Sequence, residues 1–125
     1  MAATATPHAD RRRSQRISLS VPLLVVSLDP NLDFSAHLNT REVSGHGCLL
    51  SSRRPFRSGT RLRLHLLNDN RTITADVIRS LPVGIFLSLW KVALELNKPG
   101  NFWGVPSPPQ DWGTTDERLA PAWPP

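Results

Sequence analysis

The 125-residue sequence is poor in cysteine, tyrosine and long apolar stretches, and each shortage excludes a class of protein. A single cysteine, Cys48, excludes an internal disulfide. We expect its thiol to be a small buried apolar group, because no motif ties a histidine or an acid to it. No apolar run approaches the ~20 residues that span a bilayer, so no membrane span is expected. Residues 1–10 lack the apolar stretch of a signal peptide, which predicts a cytoplasmic protein.

Sequence signatures of catalysis and metal binding are also missing. The four histidines show neither metal-ligand spacing nor an acidic partner motif: His8, His37, His46 and His65. There is no glycine-rich phosphate loop, no paired-carboxylate pattern and no Gly-x-Ser-x-Gly elbow. We therefore expect no metal, no cofactor and no enzymatic activity.

What the sequence does have is positive charge, and almost all of it is arginine. The net charge is +5 and only Lys91 and Lys98 are lysines. The arginine side chain ends in a flat fork of five donors that fits phosphates and guanine edges. The composition therefore predicts an anionic partner without saying which one.

Six segments between residues 17 and 96 have the composition or the alternation of β-strands. They cover residues 17–28, 34–43, 47–52, 60–67, 71–81 and 90–96. The alternation is clearest where Leu62, Leu64 and Leu66 fall between polar residues. Pro22 interrupts the first segment, which suggests an entry or edge strand. Six short strands at hairpin spacing predict an all-β fold, either a small antiparallel barrel or a sandwich.

The chain length fits one small domain with tails. It divides into a loose leader, a domain that begins with a basic arm, and an extension: residues 1–10, 11–96 and 97–125. Seven of the twelve prolines lie in the extension, so its end is neither a helix nor a central strand. We expect Trp103 and Trp112 to cap the barrel and Trp123 to lie in a frayed tail.

The first candidate motif is Arg12-x-x-x-Arg16, just before the first strand. Four-residue spacing puts both guanidinium groups on one side of the backbone, whether it is helical or extended. Such a pair can hold two phosphates, or a phosphate and the O6 and N7 edge of guanine. Taken alone the motif is also compatible with a solvated basic end of the domain.

The second candidate motif is Glu42-x-Ser44-x-x-Gly47. On a strand, positions 42 and 44 point to one face. A carboxylate there can accept hydrogen bonds from guanine N1 and its exocyclic amine, and a serine hydroxyl can donate to a phosphate or order the backbone. Gly47 either takes a positive φ or allows a ligand to come close. Taken alone the motif is also compatible with an ordinary turn.

Together the two motifs resemble the signature of the PilZ domain family. That signature is an Arg-x-x-x-Arg stretch before the first strand, followed by (Asp/Asn)-x-Ser-x-x-Gly about 25 to 35 residues later. The apolar strand that starts at Cys48 follows the glycine as in the family, and residues 90–96 are similar to its closing strand. The resemblance covers residues 11–96, and residues 97–125 look like an extension seen in some members.

The resemblance implies a small six-stranded antiparallel PilZ-type β-barrel, a bacterial receptor whose flexible arginine arm folds over cyclic di-GMP. Carried over to this sequence, Arg12 and Arg16 would clasp guanine and phosphate. Glu42 would read a guanine edge, Ser44 would steady a phosphate or the turn, and Gly47 would permit close approach. The family further implies that nucleotide binding orders the arm and signals to a downstream protein partner that the sequence does not name.

Two positions stand apart from the core of the signature. Arg11 precedes the first motif, and an arginine there accompanies an intercalated ligand dimer in some members. Glu42 occupies a position where the family has Asp or Asn, and its extra methylene moves the carboxylate outward.

Two other functions remain open from the residues. One is a degenerate barrel that acts only as a protein-interaction module without nucleotide affinity. The other is a basic barrel that binds RNA or single-stranded DNA. The second is the weaker alternative and nucleic acid is not the expected partner, because stacking platforms are scarce: there are four Phe, four Trp and no Tyr.

Overall fold

A computed structural model describes residues 14–85 and 88–112 of the chain, and nearly all regular structure in them is β-strand. The strands are β1 (Ile17–Ser18), β2 (Pro22–Ser27), β3 (Ser35–Val43), β4 (Gly47–Ser52), β5 (Arg61–Leu66), β6 (Arg71–Pro82) and β7 (Trp90–Leu96). A single helical turn follows at residues 110–112. Within these described ranges no helix has the length and hydropathy needed to cross a membrane.

Six of the strands close into an antiparallel barrel. The hydrogen-bonded order is β3-β2-β5-β6-β7-β4, and β4 pairs back onto β3 to complete the ring. β1 lies outside the ring and pairs with the end of β3. The prediction of a six-stranded antiparallel barrel is confirmed. Closure leaves the ring without an open edge, because each of its strands has a partner on both sides.

The first predicted strand, residues 17–28, is in fact two strands. Pro22 is the first residue of β2, where its missing N–H is tolerated. β2 pairs with β3 on one side and β5 on the other, so it is not an edge strand, whereas β1 pairs with β3 alone. The Thr40 hydroxyl occupies the break: it accepts a hydrogen bond from Val21 N–H at 2.8 Å and donates one to the Leu19 carbonyl at 2.6 Å.

The other strand predictions agree closely with the structure. β4 and β7 have the predicted bounds, and the ends of β3, β5 and β6 differ by one residue. Residues 82–89 show no clear pattern in the sequence; Pro82 ends β6, and Val83 N–H donates to the Leu89 carbonyl at 2.9 Å just before β7.

Alternating side chains of the strands fill the barrel. Leu62, Leu64 and Leu66 are buried as predicted, and the inward residues of β7 are buried beside them. Cys48 is also buried, and this burial raises the pKa of its thiol far above the ordinary range. The expectation of a small apolar cysteine side chain is confirmed, because such a thiol carries almost no nucleophilic thiolate near neutral pH.

The beginning of the C-terminal extension packs against the barrel. Trp103 is 7% exposed and Trp112 is 1% exposed, and both belong to the hydrophobic core. The prediction that these two indoles cap the barrel is confirmed. Trp123 lies outside the described residues. The extension therefore contributes to the folded domain through residue 112.

Gly47, at the start of β4, lies against β7 so closely that no side chain fits. A Cβ at this position would clash with the backbone carbonyl oxygen of Leu94. Its backbone is not in the left-handed region, so the suggested positive φ is wrong. The glycine is required here because the β4–β7 ladder, in which Gly47 pairs with Glu95, completes the barrel.

We predict that Gly47→Ala destabilises the barrel. A methyl group that meets a backbone carbonyl must displace a strand, and such overpacking costs about 1–3 kcal/mol or more. The matched control is Ser51→Ala on the same strand, which should change the free energy of unfolding by less than about 0.5 kcal/mol. Urea unfolding measures both; equal stability of Gly47→Ala and the parent would show that β4 and β7 are not in such close contact.

Candidate functional site

The two sequence motifs meet because β1 pairs with the end of β3. Ile17 lies opposite Val43 and Ser18 lies opposite Glu42. Arg16 directly precedes β1, so this short ladder carries its side chain to the second motif. The guanidinium Nη1 of Arg16 is 3.7 Å from the Glu42 Oε1.

The ion pair between Arg16 and Glu42 is open to solvent. The side chains are 53% and 38% exposed. Exposed pairs of this kind contribute only about 0–1 kcal/mol, because water screens the charges and ordering the side chains costs entropy. The pair therefore holds the two groups near each other while leaving both able to exchange their partner for a ligand.

The end of the basic arm is attached to the barrel just before Arg16. Ser14 is 3% exposed, and its hydroxyl lies 3.1 Å from the His46 Nδ1. Arg11 and Arg12 lie outside the described residues, so their predicted positions remain expectations. The attachment at Ser14 nevertheless starts the preceding segment beside the second motif.

The second motif forms a tight turn built around Ser44. Its hydroxyl accepts hydrogen bonds from the backbone N–H of His46 at 3.3 Å and of Gly47 at 3.1 Å. Its own N–H donates to the Gly47 carbonyl at 2.9 Å. Of the two roles suggested for Ser44, ordering the backbone is the one that these contacts perform.

A groove of about 740 Å³ runs over the outer surface of the barrel next to this turn. Arg16, Glu42, Ser44 and Gly47 all line it, so four of the six predicted site residues share one surface.

A row of paired residues crosses the sheet beneath the groove. Glu42 pairs with Leu49, Leu49 pairs with Ala93, and Ala93 pairs with Arg79. Leu49 and Ala93 thus form an apolar floor between Glu42 on one side and Arg79 on the other. Neighbouring strands are ~4.8 Å apart, so three strand spacings separate the sides by roughly 14 Å along the sheet surface.

Sequence reasoning missed two cations on the far side of this groove, Arg79 and Lys91. Both line it, and neither forms a salt bridge with any residue of the described ranges. The alternation of residues 90–96 marks Lys91 as outward-facing, which is the one signal present in the sequence. Arg79 follows a β-bulge after Val77, so simple alternation does not show its direction.

The groove offers donors at both sides and an apolar surface between them. Its described charged residues are Arg16, Arg79 and Lys91 against Glu42 and Glu95. Guanidinium and ammonium groups separated by an apolar floor fit a flat ligand that carries anionic groups around its edge. Across the described ranges, no group of three or more His, Cys, Asp or Glu side chains is placed to hold a metal ion.

Comparison with known proteins places this fold in one family. The family model of the PilZ domain matches residues 10–99, well over half of the chain. A similar solved structure is the Bacillus subtilis inhibitor of motility MotI/DgrA, with a TM-score of 0.57 and 20% identity over 73% of this chain and 44% of that one. This chain thus spans less than half of that protein, and the likeness shows a shared fold. A search of curated proteins found no match. The chain belongs to the PilZ domain family, whose members are receptor or adaptor domains.

Proposed function

We propose that this domain is a cyclic di-GMP receptor that binds the nucleotide in the groove between Arg16 and Arg79. The observation that supports the proposal most strongly is that Arg16, Glu42, Ser44 and Gly47 line one groove in a chain of the PilZ family. The resemblance assigns the clasping of the nucleotide to Arg16 and the reading of a guanine edge to Glu42, and both side chains line this groove.

On one side of the groove, the ligand would replace the exposed ion pair. Arg16 would leave Glu42 to make charge-assisted hydrogen bonds to a phosphate or to guanine O6 and N7. The freed Glu42 carboxylate would accept from guanine N1 and its exocyclic amine. Arg12 and Arg11, which lie upstream of the anchored Ser14, would close over the nucleotide from above.

Over the floor, the ligand would find a flat apolar surface. Leu49 and Ala93 would pack against a purine face, and Gly47 would let the ligand come close to the floor because it carries no side chain. Ser44 would hold the turn in place rather than contact the phosphate, since its hydroxyl accepts from two backbone N–H groups and donates to the Gly47 carbonyl at 3.4 Å. Arg79 and Lys91 would receive the phosphate or purine edge at the far side.

We further propose that binding is communicated by ordering of the arm, and that the readout is a protein partner rather than a chemical reaction. Disorder-to-order closure of a charged segment is a common way to create a new docking surface. A receptor of an intracellular second messenger would act in the cytoplasm, and the domain would be an adaptor and not an enzyme.

Glu42 supports one alternative, a degenerate barrel that binds proteins without the nucleotide. The carboxylate at this position is one methylene longer than the family pattern. Single-stranded nucleic acid is less well supported, because no Phe, Tyr or Trp side chain of the described residues lines the groove. Phe34 and Phe56 instead pack against each other and beneath Arg54.

Calorimetric titration distinguishes these functions. With cyclic di-GMP we expect a dissociation constant in the micromolar range or tighter, which corresponds to about −8 kcal/mol or better. GMP should bind far more weakly, because it offers one phosphate and one base. Tighter binding of a short oligonucleotide would support the nucleic-acid function, and absence of heat with all three ligands would support the protein-interaction module.

We predict that Arg16→Ala removes most of the affinity for cyclic di-GMP. Loss of charge-assisted hydrogen bonds worth roughly 1.5–3 kcal/mol each should raise the dissociation constant tenfold or more. The matched control is Arg63→Ala, an exposed arginine of β5 that does not line the groove, and it should bind as the parent does. An unchanged affinity of Arg16→Ala would place the nucleotide elsewhere.

We predict that Glu42→Asp binds cyclic di-GMP as well as or better than the parent. The shorter side chain restores the family pattern and draws the carboxylate back toward the groove floor. Glu42→Gln should bind more weakly, because an amide has one acceptor oxygen where the carboxylate has two. Calorimetry compares the three proteins; complete loss in Glu42→Asp would contradict the guanine-reading role.

We predict that Arg79→Gln and Lys91→Gln each weaken binding by about threefold to tenfold. Both substitutions keep a hydrogen-bonding side chain and remove one positive charge, so affinity should also fall less steeply with added salt. Lys98→Gln, at the other lysine of the chain, serves as the control because it lies off the groove. If neither variant changes affinity or salt dependence, the ligand does not reach the far side.

A further inference from the structure

One segment of the C-terminal extension contacts the backbones of both motifs at once. We name residues 100–112 the strap. Gly100 N–H donates to the Gly45 carbonyl at 2.7 Å, and the Trp103 indole Nε1–H donates to the Ser44 carbonyl at 2.9 Å. We call the turn of the second motif, residues 44–47, the signature turn. Two of its successive carbonyls thus accept hydrogen bonds from the strap.

The strap also holds the arm. The Asp111 Oδ2 accepts a hydrogen bond from the Gln15 backbone N–H at 2.7 Å, and the Trp112 indole Nε1–H donates to the Gln15 carbonyl at 2.5 Å. Both polar groups of the Gln15 backbone are therefore bound by adjacent strap residues. Gln15 immediately precedes Arg16, so this clamp fixes the point from which the Arg16 side chain extends.

Trp112 connects the two sets of contacts. It is 1% exposed, and a Cβ built on Gly45 would lie 3.1 Å from its Cα and 3.2 Å from its Cγ. The indole therefore packs on the signature turn while its N–H reaches the arm. The strap itself is kept in shape by Asn101, whose amide donates to the Val105 carbonyl and accepts from the Val105 N–H, both at 3.0 Å.

We propose that the strap is a positioning element of the cyclic di-GMP site, with Asp111 as the residue that fixes the arm, and that strap docking and nucleotide binding are coupled. This inference rests on the proposed function for its ligand. Asp111 would not contact the nucleotide itself and would act on it by positioning Gln15 and, through Gln15, Arg16. Because coupling is reciprocal, a bound nucleotide should in turn hold the strap more firmly on the barrel. Occupancy of the groove would thereby be transmitted to the extension.

The test uses the full chain and two variants of Asp111. Asp111→Ala removes the acceptor, so the arm should be held in place for a smaller fraction of the time. The apparent affinity falls in proportion to that fraction, and we expect a loss of about fivefold to tenfold. Asp111→Asn keeps an acceptor oxygen without the charge and should restore affinity to within about twofold. Asp33→Ala removes an exposed carboxylate off the groove and controls for net charge.

Amide hydrogen exchange supplies a readout that does not depend on the ligand. In the nucleotide-free protein, Asp111→Ala should speed exchange of the Gln15 amide while leaving exchange of the core strands and the melting temperature unchanged. Asp111→Asn should leave the exchange of the Gln15 amide as it is in the parent. Adding cyclic di-GMP to the parent should slow exchange of Gln15 and of the Trp112 indole together.

The results separate this inference from the function on which it rests. Unchanged Gln15 exchange and unchanged affinity in Asp111→Ala would overturn the positioning role. An equal loss of affinity in Asp111→Asn and Asp111→Ala would also overturn it, because charge rather than the hydrogen bond would then matter. If the parent does not bind cyclic di-GMP, the proposed function fails, and the Gln15 exchange rates alone decide whether the strap positions the arm.

Discussion

The pairing of β1 with the end of β3 is the constraint on which the site depends. Only two residue pairs form it, Ile17 with Val43 and Ser18 with Glu42. They place Arg16, the residue just before β1, beside the second motif. With them, Arg16 lies 3.7 Å from Glu42. A two-residue ladder is too short to be stable by itself, so its contacts with the strap and the turn matter.

The closed barrel supplies the rigid surface that such a small attachment needs. Its core orders β4 and β7, and their outward residues become the groove floor. Gly47 serves both, because its missing side chain lets β4 approach β7 and the same residue lines the groove. The β-bulge after Val77 then turns β6 so that Arg79 pairs with Ala93 across the floor. Residues that close the barrel therefore also form the surface of the groove.

Local pattern was enough to predict most of the fold. Alternation in residues 60–67 and 90–96 fixed which side chains enter the core, and glycine, proline and asparagine marked the turns between strands. The division of residues 17–28 was missed because it depends on the Thr40 side chain, which belongs to another strand. Pro22 marks the interruption within the segment, but no pattern there shows that a side chain of another strand will bind the backbone on both sides of the break.

The site also has one part that the sequence predicts and one part that it does not. The two motifs identify Arg16, Glu42, Ser44 and Gly47 because their spacing along the chain is a family signature. Arg79 and Lys91 carry no such spacing, and they join the groove only through strand pairing that brings β4, β7 and β6 side by side. The strap contacts were hidden for the same reason, since Gln15 and Asp111 are 96 residues apart in sequence. The positions of the two cations and of the strap contacts therefore depend on pairings between residues far apart in the sequence.

We propose that the arm and the signature turn form one nucleotide site across the β1–β3 ladder. Mapping backbone amide chemical shifts during titration with cyclic di-GMP tests this proposal most directly, because every residue reports at once. We expect large, saturating shifts that cluster at Arg16, Ser18, Glu42, Gly47 and Ala93 and fade toward β5 and the β2–β3 turn. Shifts centred on β5 or on the loop around Arg54 would contradict it, as would a spectrum that does not change at all.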